Sequence, residues 1–235
     1  MINDSSHGTS SKNALSNSFQ NSITDETTEI VSNIGEIGLD AFLNDGLLKN
    51  VPFLSTVVSV YKIGQSLHAR YHLKKLNVFL IEINASIEDK NKRQDYINKF
   101  VSKRSFRDKE LEYIIILIER YIGMEKPKMI AKLYLAYLNN AINWDSFTMY
   151  SEVIDRFLPG DYNVLCNGDI TLTSHDGNEA ILRLEALGLM AEKRIDYHVI
   201  SGGTLGEDIP DETDEERTYI RTAFGEKLVS ILNGD

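Results

Sequence analysis

The chain has 235 residues, of which 42% are hydrophobic and 26% charged, and this composition excludes global disorder and a fibrous repeat. Its 35 acidic residues against 25 basic ones give a net charge of −10, so binding to nucleic acid requires a local basic patch. A lone cysteine, Cys166, excludes an intramolecular disulfide, and the first residues contain no apolar run of signal-peptide length. These features predict a cytoplasmic protein.

The first part of the chain predicts a tail and two helices. Residues 1–22 are rich in Ser, Asn and Thr, and we expect a disordered tail there. Apolar residues then recur at helical spacing over residues 24–46, which predicts a first helix. Pro52 suits the first turn of a longer helix, which we expect to run to Asn84 with a joint near Gly64.

The middle of the chain continues with helical patterns. A charged stretch over residues 86–104 predicts a surface helix, and a strongly apolar stretch that ends at Gly123 predicts a central one. Pro127 opens a further helix, and Asn143 is placed to cap the next. Because the connections are short, residues 23–159 are predicted to form an antiparallel helical bundle.

The last third of the chain follows a different pattern. A short helix around Leu184 precedes an alternating, strand-like segment over residues 195–200. After a long acidic loop, residues 218–222 resemble a second strand, and a helix from Phe224 follows. This order predicts a winged-helix-like module over residues 160–235. The predicted fold class is therefore mainly α, with an antiparallel helical bundle followed by a small winged-helix-like α+β module.

Two segments of this last part carry a resemblance to known proteins. Leu182–Met190 reads LRLEALGLM, and Tyr219–Val229 reads YIRTAFGEKLV. Together they resemble the LxxLGL … LTxxGxxLV ending of bacterial winged-helix modules, with Arg221 where that pattern has Leu. Preceded by a helical region, this ending also resembles bacterial abortive-infection proteins of the Abi-alpha type, which are associated with resistance to phage. The resemblance implies a winged-helix fold and a role in phage defence, and it brings no catalytic residue.

A basic patch is expected on the second helix, where residues 62–75 contain no acid. Its cations, Lys62, Arg70, Lys74 and Lys75, are candidates for binding an anionic lipid surface, a phosphate or an acidic partner. Alternatively, they pair with acidic residues of neighbouring helices. Because an apolar run precedes them, the element around residues 47–75 is also a candidate amphipathic membrane helix.

The loop of the last module carries the opposite charge. Residues 207–217 contain seven acidic side chains and a single arginine. Such a loop repels phosphate groups, so nucleic acid is disfavoured as a partner of this module. Its carboxylates are instead candidates for docking a protein: Asp211, Glu212, Asp214 and Glu215.

Patterns typical of cofactor or metal sites are weak. His68 and His72 are four residues apart and could reach one metal ion on a helix, but Ala69 stands where zinc proteases have a glutamate. Residues 201–206 are rich in glycine without the lysine and hydroxyl residue of a phosphate loop. We therefore predict no catalytic residue, no cofactor, no metal and no small-molecule substrate.

These observations favour a non-enzymatic protein of bacterial or prophage origin that docks onto other proteins or onto itself, with a role in abortive infection. Two alternatives stay open. One is a membrane-acting effector that uses residues 47–75, and the other is a DNA-binding winged-helix regulator. An enzyme of an unrecognised type is the remaining alternative.

Overall fold

The computed structural model describes residues 13–24, 50–64, 66–87, 90–102, 104–172, 178–193 and 217–234. Within these ranges the chain forms ten helices and three short strands, which confirms a mainly α fold with a small β component. The chain divides into two compact units, one ending at Asp155 and the other beginning at Arg156. Most of the predicted first helix, over residues 24–46, lies outside the described residues.

The described part of the first unit is helical. Its helices are α1 (Ala14–Ser22), α2 (Pro52–Tyr61), α3 (Leu67–Ser86), α4 (Lys90–Ser102), α5 (Arg104–Arg120), α6 (Glu125–Leu138) and α7 (Trp144–Arg156). Helix α3 packs against α6 and α5, and α1 packs against α2 and α5. No helix among the described residues is long and apolar enough to cross a membrane.

The predicted joint in the long second helix is confirmed. Lys62, with a φ of 50°, is in the left-handed region and ends α2. Helix α3 starts afresh five residues later, where the Ser66 hydroxyl accepts a hydrogen bond from the Ala69 amide as its N-cap. Residues 52–86 therefore form two helices, α2 and α3, that pack against each other.

The prediction of a disordered tail over residues 1–22 is wrong for residues 14–22, which form α1. Leu15, Phe19 and Ile23 are buried, and their spacing of four residues places them on one face of the helix. The Ser and Asn residues that surround them give the segment the composition of a tail. The overall composition therefore does not reveal that three apolar residues lie on one side of α1. These three residues hold α1 in the core.

Polar contacts hold both ends of α1. The Ser16 amide donates to Asp108 Oδ1 at 2.9 Å near the start of the helix. At its end, the Ser22 carbonyl accepts from Asn84 Nδ2 at 3.2 Å, and the following carbonyl, of Ile23, accepts from Arg93 Nη1 at 3.0 Å. Helix ends leave backbone groups without hydrogen-bond partners inside the helix. These side chains supply such partners at both ends of the nine-residue helix α1.

Aromatic rings fill the centre of the first unit. The Phe19 ring lies 5.3 Å from the Phe53 ring and 5.2 Å from the Phe100 ring, measured between centroids. Tyr134 is fully buried beside them, and Phe147 packs edge-on against it at 5.9 Å. Tyr134 of α6 and Phe147 of α7 therefore belong to the core.

One ion pair lies inside this aromatic region. Arg107 Nη1 donates to Glu110 Oε2 at 2.6 Å, and both side chains are buried. Glu110 Oε1 accepts from the Tyr137 hydroxyl at 2.6 Å, and burial together with hydrogen bonding to this carboxylate raises the pKa of Tyr137 to about 12. Arg107 also donates to the carbonyl of Phe100, so the pair ties α5 to α4 and α6. Its charges are satisfied internally and are part of the fold.

The second unit combines three further helices with a sheet. Its elements are α8 (Asp161–Asn167), β1 (Ile170–Leu172), α9 (Glu179–Ala186), β2 (Met190–Glu192), β3 (Arg217–Arg221) and α10 (Ala223–Asn233). The strand order is β1-β3-β2, and both pairings are antiparallel. The helix around Leu184, the strand near residues 218–222 and the final helix are confirmed to within a few residues. The predicted strand over residues 195–200 lies outside the described residues.

The junction between α9 and α10 explains the glycine and threonine of the terminal sequence pattern. Gly188, with a φ of +72°, ends α9 in the left-handed conformation. The Thr222 hydroxyl accepts from the Gly225 amide at 3.1 Å, which caps α10, and donates to the Gly188 carbonyl at 2.7 Å. A Cβ atom on Gly225 would lie 2.2 Å from the Leu189 carbonyl oxygen. Glycine therefore permits the close approach of α10 to the end of α9.

Substitution of this glycine gives a direct test of the junction. We expect Gly225→Ala to lower the free energy of unfolding by about 1–3 kcal/mol, because the new methyl group meets the backbone of Leu189, which is held between α9 and β2. Urea-induced unfolding followed by circular dichroism measures the change. Ala223→Ser, at an exposed position of the same helix, is the control. Equal stability of the two variants would contradict the close packing.

Arg221 stands where the resembling pattern has leucine, and the structure gives it a polar role. Its Nε donates to Glu226 Oε1 at 2.6 Å, and its Nη1 donates to the carbonyls of Leu165 and Cys166, both at 3.3 Å. Those carbonyls lie at the end of α8, where a cation interacts favourably with the helix dipole. The departure from the pattern thus replaces an apolar contact with a cap of α8.

Candidate functional site

The structure separates the four cations that were predicted to form one anionic-partner surface. Lys62 and Lys74 are exposed, and Arg70 is half-buried. Lys75 has only 2% of its surface exposed, so its inclusion in that surface is wrong. The adjacent residues Lys74 and Lys75 point to different environments because successive side chains on a helix are about 100° apart.

Lys75 binds the end of a neighbouring helix. Its Nζ donates to the Glu119 carbonyl at 2.7 Å and to the Tyr121 carbonyl at 2.5 Å. Carbonyls at the end of α5 have no partner inside the helix, and the ammonium group also meets the negative end of the helix dipole. Burial lowers the pKa of Lys75, while the nearby Glu119 carboxylate opposes that effect. Lys75 is therefore a buried cap of α5, which neither of the two interpretations of the basic patch describes.

The histidine pair does not converge on one point. His68 Nε2 lies 3.3 Å from Glu119 Oε1 and is exposed, whereas His72 is buried and its Nε2 lies 3.2 Å from the Ile115 carbonyl. Since a carbonyl only accepts, His72 carries its proton on Nε2. Among the described residues, no three His, Cys, Asp or Glu side chains are grouped so that they could hold a metal ion.

The buried histidine makes stability depend on pH. Burial lowers the pKa of His72, although Glu119 and the hydrogen bond to Ile115 act in the opposite direction. The unfolded chain therefore takes up a proton at this residue more readily than the folded chain as the pH falls below about 6.5. The stability that neutral His72 contributes is present above that pH and is lost as the pH falls.

We expect His72→Gln to reduce this loss, because glutamine can still donate to the Ile115 carbonyl and does not titrate. The measurement is the urea midpoint at about pH 7.5 and at about pH 5.5, on either side of the ordinary histidine pKa. The midpoint of the unchanged chain should fall further than that of the variant. An equal fall in both chains would refute the prediction.

Apolar side chains lie exposed next to the remaining cations. Leu67 is 83% exposed at the start of α3, and Ile122 is 87% exposed just after the end of α5. The Tyr71 hydroxyl donates to the Ile122 carbonyl at 2.8 Å, so the two segments are adjacent. Together with the cations of the same stripe, they form a surface that we call the α3–α5 face, defined as Leu67, Arg70, Tyr71, Lys74 and Ile122.

The spacing along α3 explains this surface. Leu67, Tyr71 and Lys74 lie at positions i, i+4 and i+7, which coincide on one side of a helix. The same helix buries Leu73, Leu76 and Leu80 on its other side. Two apolar stripes on one helix are expected from the sequence, but the periodicity does not reveal which stripe is buried. Periodicity alone therefore groups Leu67 and Ile122 with core positions, and it gives no signal of their exposure.

A second exposed helix side is found in the second unit. Glu179, Leu182 and Glu185 are exposed on α9 at spacings of three residues, with Leu182 59% exposed, and we call them the α9 face. The only cation of that helix, Arg183, donates through Nη2 to the buried carboxylate of Asp161 at 2.7 Å, and its Nη1 lies 3.8 Å from Glu179 Oε2. The α9 face therefore consists of a leucine flanked by two carboxylates, of which Glu179 pairs with Arg183.

The acidic loop residues predicted to dock a protein lie outside the described residues: Asp211, Glu212, Asp214 and Glu215. Their role stays a prediction. Comparisons of the chain with protein-family models, with curated proteins and with solved structures find no match. Function is therefore inferred from the chain's own surfaces.

Proposed function

We propose that this chain is a non-enzymatic protein-interaction protein and that the α3–α5 face is a docking surface for a protein partner. The observation that carries the proposal is the exposure of Leu67 on α3 and of Ile122 on the segment that Tyr71 joins to α3, with exposed Lys74 on the same side of α3 as Leu67. Exposed aliphatic residues that are grouped and bordered by charge are typical of interaction sites, whereas single ones are ordinary. The ring of Tyr71 adds an aromatic residue of the kind enriched at interfaces.

We propose a winged-helix-like arrangement for residues 160–235. The order helix, strand, helix, strand, strand, helix supports it, as does an antiparallel sheet in which the last strand lies in the middle. The roles of Thr222 and Gly225 in joining α10 to the end of α9 support it as well, since both residues belong to the resembling sequence pattern.

In this module a protein partner is favoured over nucleic acid. A winged helix that reads DNA presents a helix to the major groove, and its affinity comes largely from cations near phosphates. Here α9 exposes Glu179 and Glu185, while its arginine is held by Asp161 and Glu179. The net charge of the whole chain, −10, acts in the same direction.

The resemblance to Abi-alpha proteins supports a bacterial or prophage setting in the cytoplasm and a part in phage defence. Expression of the chain in a bacterial host should then lower the plating efficiency of at least one phage in a diverse panel. Leu67→Asp, which places a charge in the centre of the α3–α5 face, should restore plating, and Met149→Asp on α7 should not. Equal plating with and without the chain for every phage would count against defence.

Docking itself is tested by photo-crosslinking in native cells. A photoreactive amino acid replaces Leu67, Ile122 or, as a control for exposed apolar residues elsewhere, Met149. We expect the same discrete protein adduct from positions 67 and 122 and none from position 149. Absence of protein adducts from both face positions would overturn the proposal.

A second candidate, a membrane-acting effector, is favoured by the combination of exposed Leu67 and Ile122 with the cation Lys74. Against it, Phe53, Leu54 and Val57 of the candidate membrane element are buried in the first unit. Flotation with vesicles containing an anionic lipid separates the two candidates. Binding at low salt that is lost in Leu67→Asp would favour the membrane, and a chain that stays with the unbound fraction would exclude it.

A further inference from the structure

We propose that Ile122 is the anchor of the α3–α5 face and that Tyr71 is the residue that positions it. This inference rests on the proposed function, because it states which side chain a protein partner accommodates and what holds that side chain in place. The observations that carry it come from the short link between α5 and α6, residues 121–124, and from two side chains of α3 that bind this link.

Two successive carbonyl groups of the link are bound by side chains of α3. The Tyr121 carbonyl accepts from Lys75 Nζ at 2.5 Å, and the Ile122 carbonyl accepts from the Tyr71 hydroxyl at 2.8 Å. The Lys75 Nζ atom also lies 5.6 Å from the centre of the Tyr71 ring, so the two donors belong to one cluster. Because the carbonyls of adjacent residues are bound at the same time, the backbone between them is restrained.

The first two side chains of the link have opposite environments. Tyr121 is 3% exposed, and Lys126 Nζ lies 5.4 Å from the centre of its ring. Ile122, the next residue, is 87% exposed. The buried ring of Tyr121 fixes one side of the link in the first unit, and the bound carbonyls leave the side chain of Ile122 in water. An aliphatic side chain held in this way can contact a partner without a rearrangement of the backbone.

The restraint on Ile122 favours binding, because a side chain that is already in place loses less conformational entropy on association than a mobile one. Residues that anchor an interface fill well-packed pockets from which water is excluded. The partner is therefore a protein whose surface has an apolar pocket for a branched aliphatic side chain, with an apolar contact for Leu67 beside it.

Tyr71 is the position at which this inference is tested. Its hydrogen bond to the link is exposed, whereas the bond from Lys75 to the Tyr121 carbonyl is buried. Loss of the Tyr71 hydroxyl should therefore release Ile122 and leave the core intact. Loss of Lys75 would disturb the end of α5 as well, so its effect on docking could not be assigned to Ile122.

The first measurement is the yield of the protein adduct from a photoreactive amino acid at position 67 of the full chain in native cells. Tyr71→Phe keeps the ring and removes only the donor, and we expect the yield to fall by about two- to tenfold. Ile122→Ala should lower the yield at least as far. Tyr162→Phe is the matched control, because it removes an exposed hydroxyl that donates to Asn233 Oδ1 at 2.9 Å in the second unit. The control should leave the yield unchanged.

The second measurement is the NMR order parameter of the Ile122 backbone amide in the purified full chain, which separates positioning from a general loss of stability. It should be near about 0.85, the value of rigid backbone, in the unchanged chain and in Tyr162→Phe. It should fall in Tyr71→Phe. Replacement of Tyr71 by 4-aminophenylalanine, whose amino group can donate to the same carbonyl, should restore it.

The outcomes separate this inference from the proposed function. An adduct yield from position 67 that Tyr71→Phe and Ile122→Ala leave unchanged overturns the inference, and the proposed function stands. An order parameter of Ile122 that is already low in the unchanged chain, or that Tyr71→Phe does not lower, also overturns the inference alone. A fall of equal size in Tyr162→Phe would assign the effect to stability and would overturn it as well. Absence of adducts from both face positions overturns the inference and the proposed function together.

Discussion

Phe19→Ala is expected to lower the free energy of unfolding by about 3–5 kcal/mol, the cost of removing a fully buried aromatic side chain. The ring contacts Phe53, Phe100 and Tyr134, so its loss leaves a cavity where three other helices meet. Small domains are stable by only about 5–15 kcal/mol, and the variant should therefore be close to unfolded at modest urea concentrations. The shift of the urea midpoint measures the effect.

The control for this prediction is Asn21→Ala, two residues later on the exposed side of α1. It should change stability by less than about 1 kcal/mol, because a surface substitution removes little packing. If Phe19→Ala proves as mild as the control, α1 is not part of the core. Removal of the first 22 residues would then also be tolerated, whereas the structure requires that it destabilise the first unit.

Lys75→Met is expected to cost about 1–3 kcal/mol, although methionine fills a similar volume, because the carbonyl of buried Tyr121 loses its donor. The substitution leaves the carbonyls of Glu119 and Tyr121 without the donor that now satisfies them. A buried polar group that loses its partner costs about 1–3 kcal/mol, whereas the Glu119 carbonyl belongs to an exposed residue and adds less. Loss of the cation at the end of α5 adds a smaller dipole effect.

The neighbouring lysine provides a matched control. Lys74→Met removes the same charge from the same helix, but Lys74 is exposed, so stability should change by no more than about 0.5 kcal/mol. Urea unfolding of both variants at neutral pH makes the comparison. A similar loss in both variants would mean that charge, and not the cap of α5, accounts for the effect.

The elements that can be predicted correctly are those whose buried side contains many apolar residues. Helix α6 has Ile130, Leu133 and Tyr134 at helical spacing, and all three are fully buried. Asn143 is predicted to cap α7, and its side chain accepts from the Ser146 amide at 2.8 Å. In such elements the local pattern and the tertiary packing agree, so the sequence is sufficient.

The parts that escape prediction depend on contacts with distant residues. Helix α1 has a narrow apolar stripe, and the groups that hold its ends come from Asn84, Arg93 and Asp108. The short helix α8 and strand β1 are too brief for periodicity to be recognised, and their partners, Arg183 and β3, lie far along the chain. Propensity and pattern contain no information about such partners.

The candidate site shows the same division. Charge along residues 62–75 correctly indicates cations, but only the fold distinguishes exposed Lys74 from buried Lys75. The burial of His72 and the exposure of Leu67 also follow from where α5 ends beside α3. A sequence gives the spacing of residues on a helix, whereas the neighbours decide which side of that helix meets water.

The way α1 is held has a consequence for the synthesis of the chain. A nine-residue helix is too short to persist alone in water, and the contact between Ser16 and Asp108 spans 92 residues. At a translation rate of about 5–20 residues per second, Phe19 leaves the ribosome roughly 4–18 s before Asp108 leaves it. Throughout that interval its ring has no core to enter and is open to chaperones. Helix α1 is thus made well before the residues that hold it in its native place.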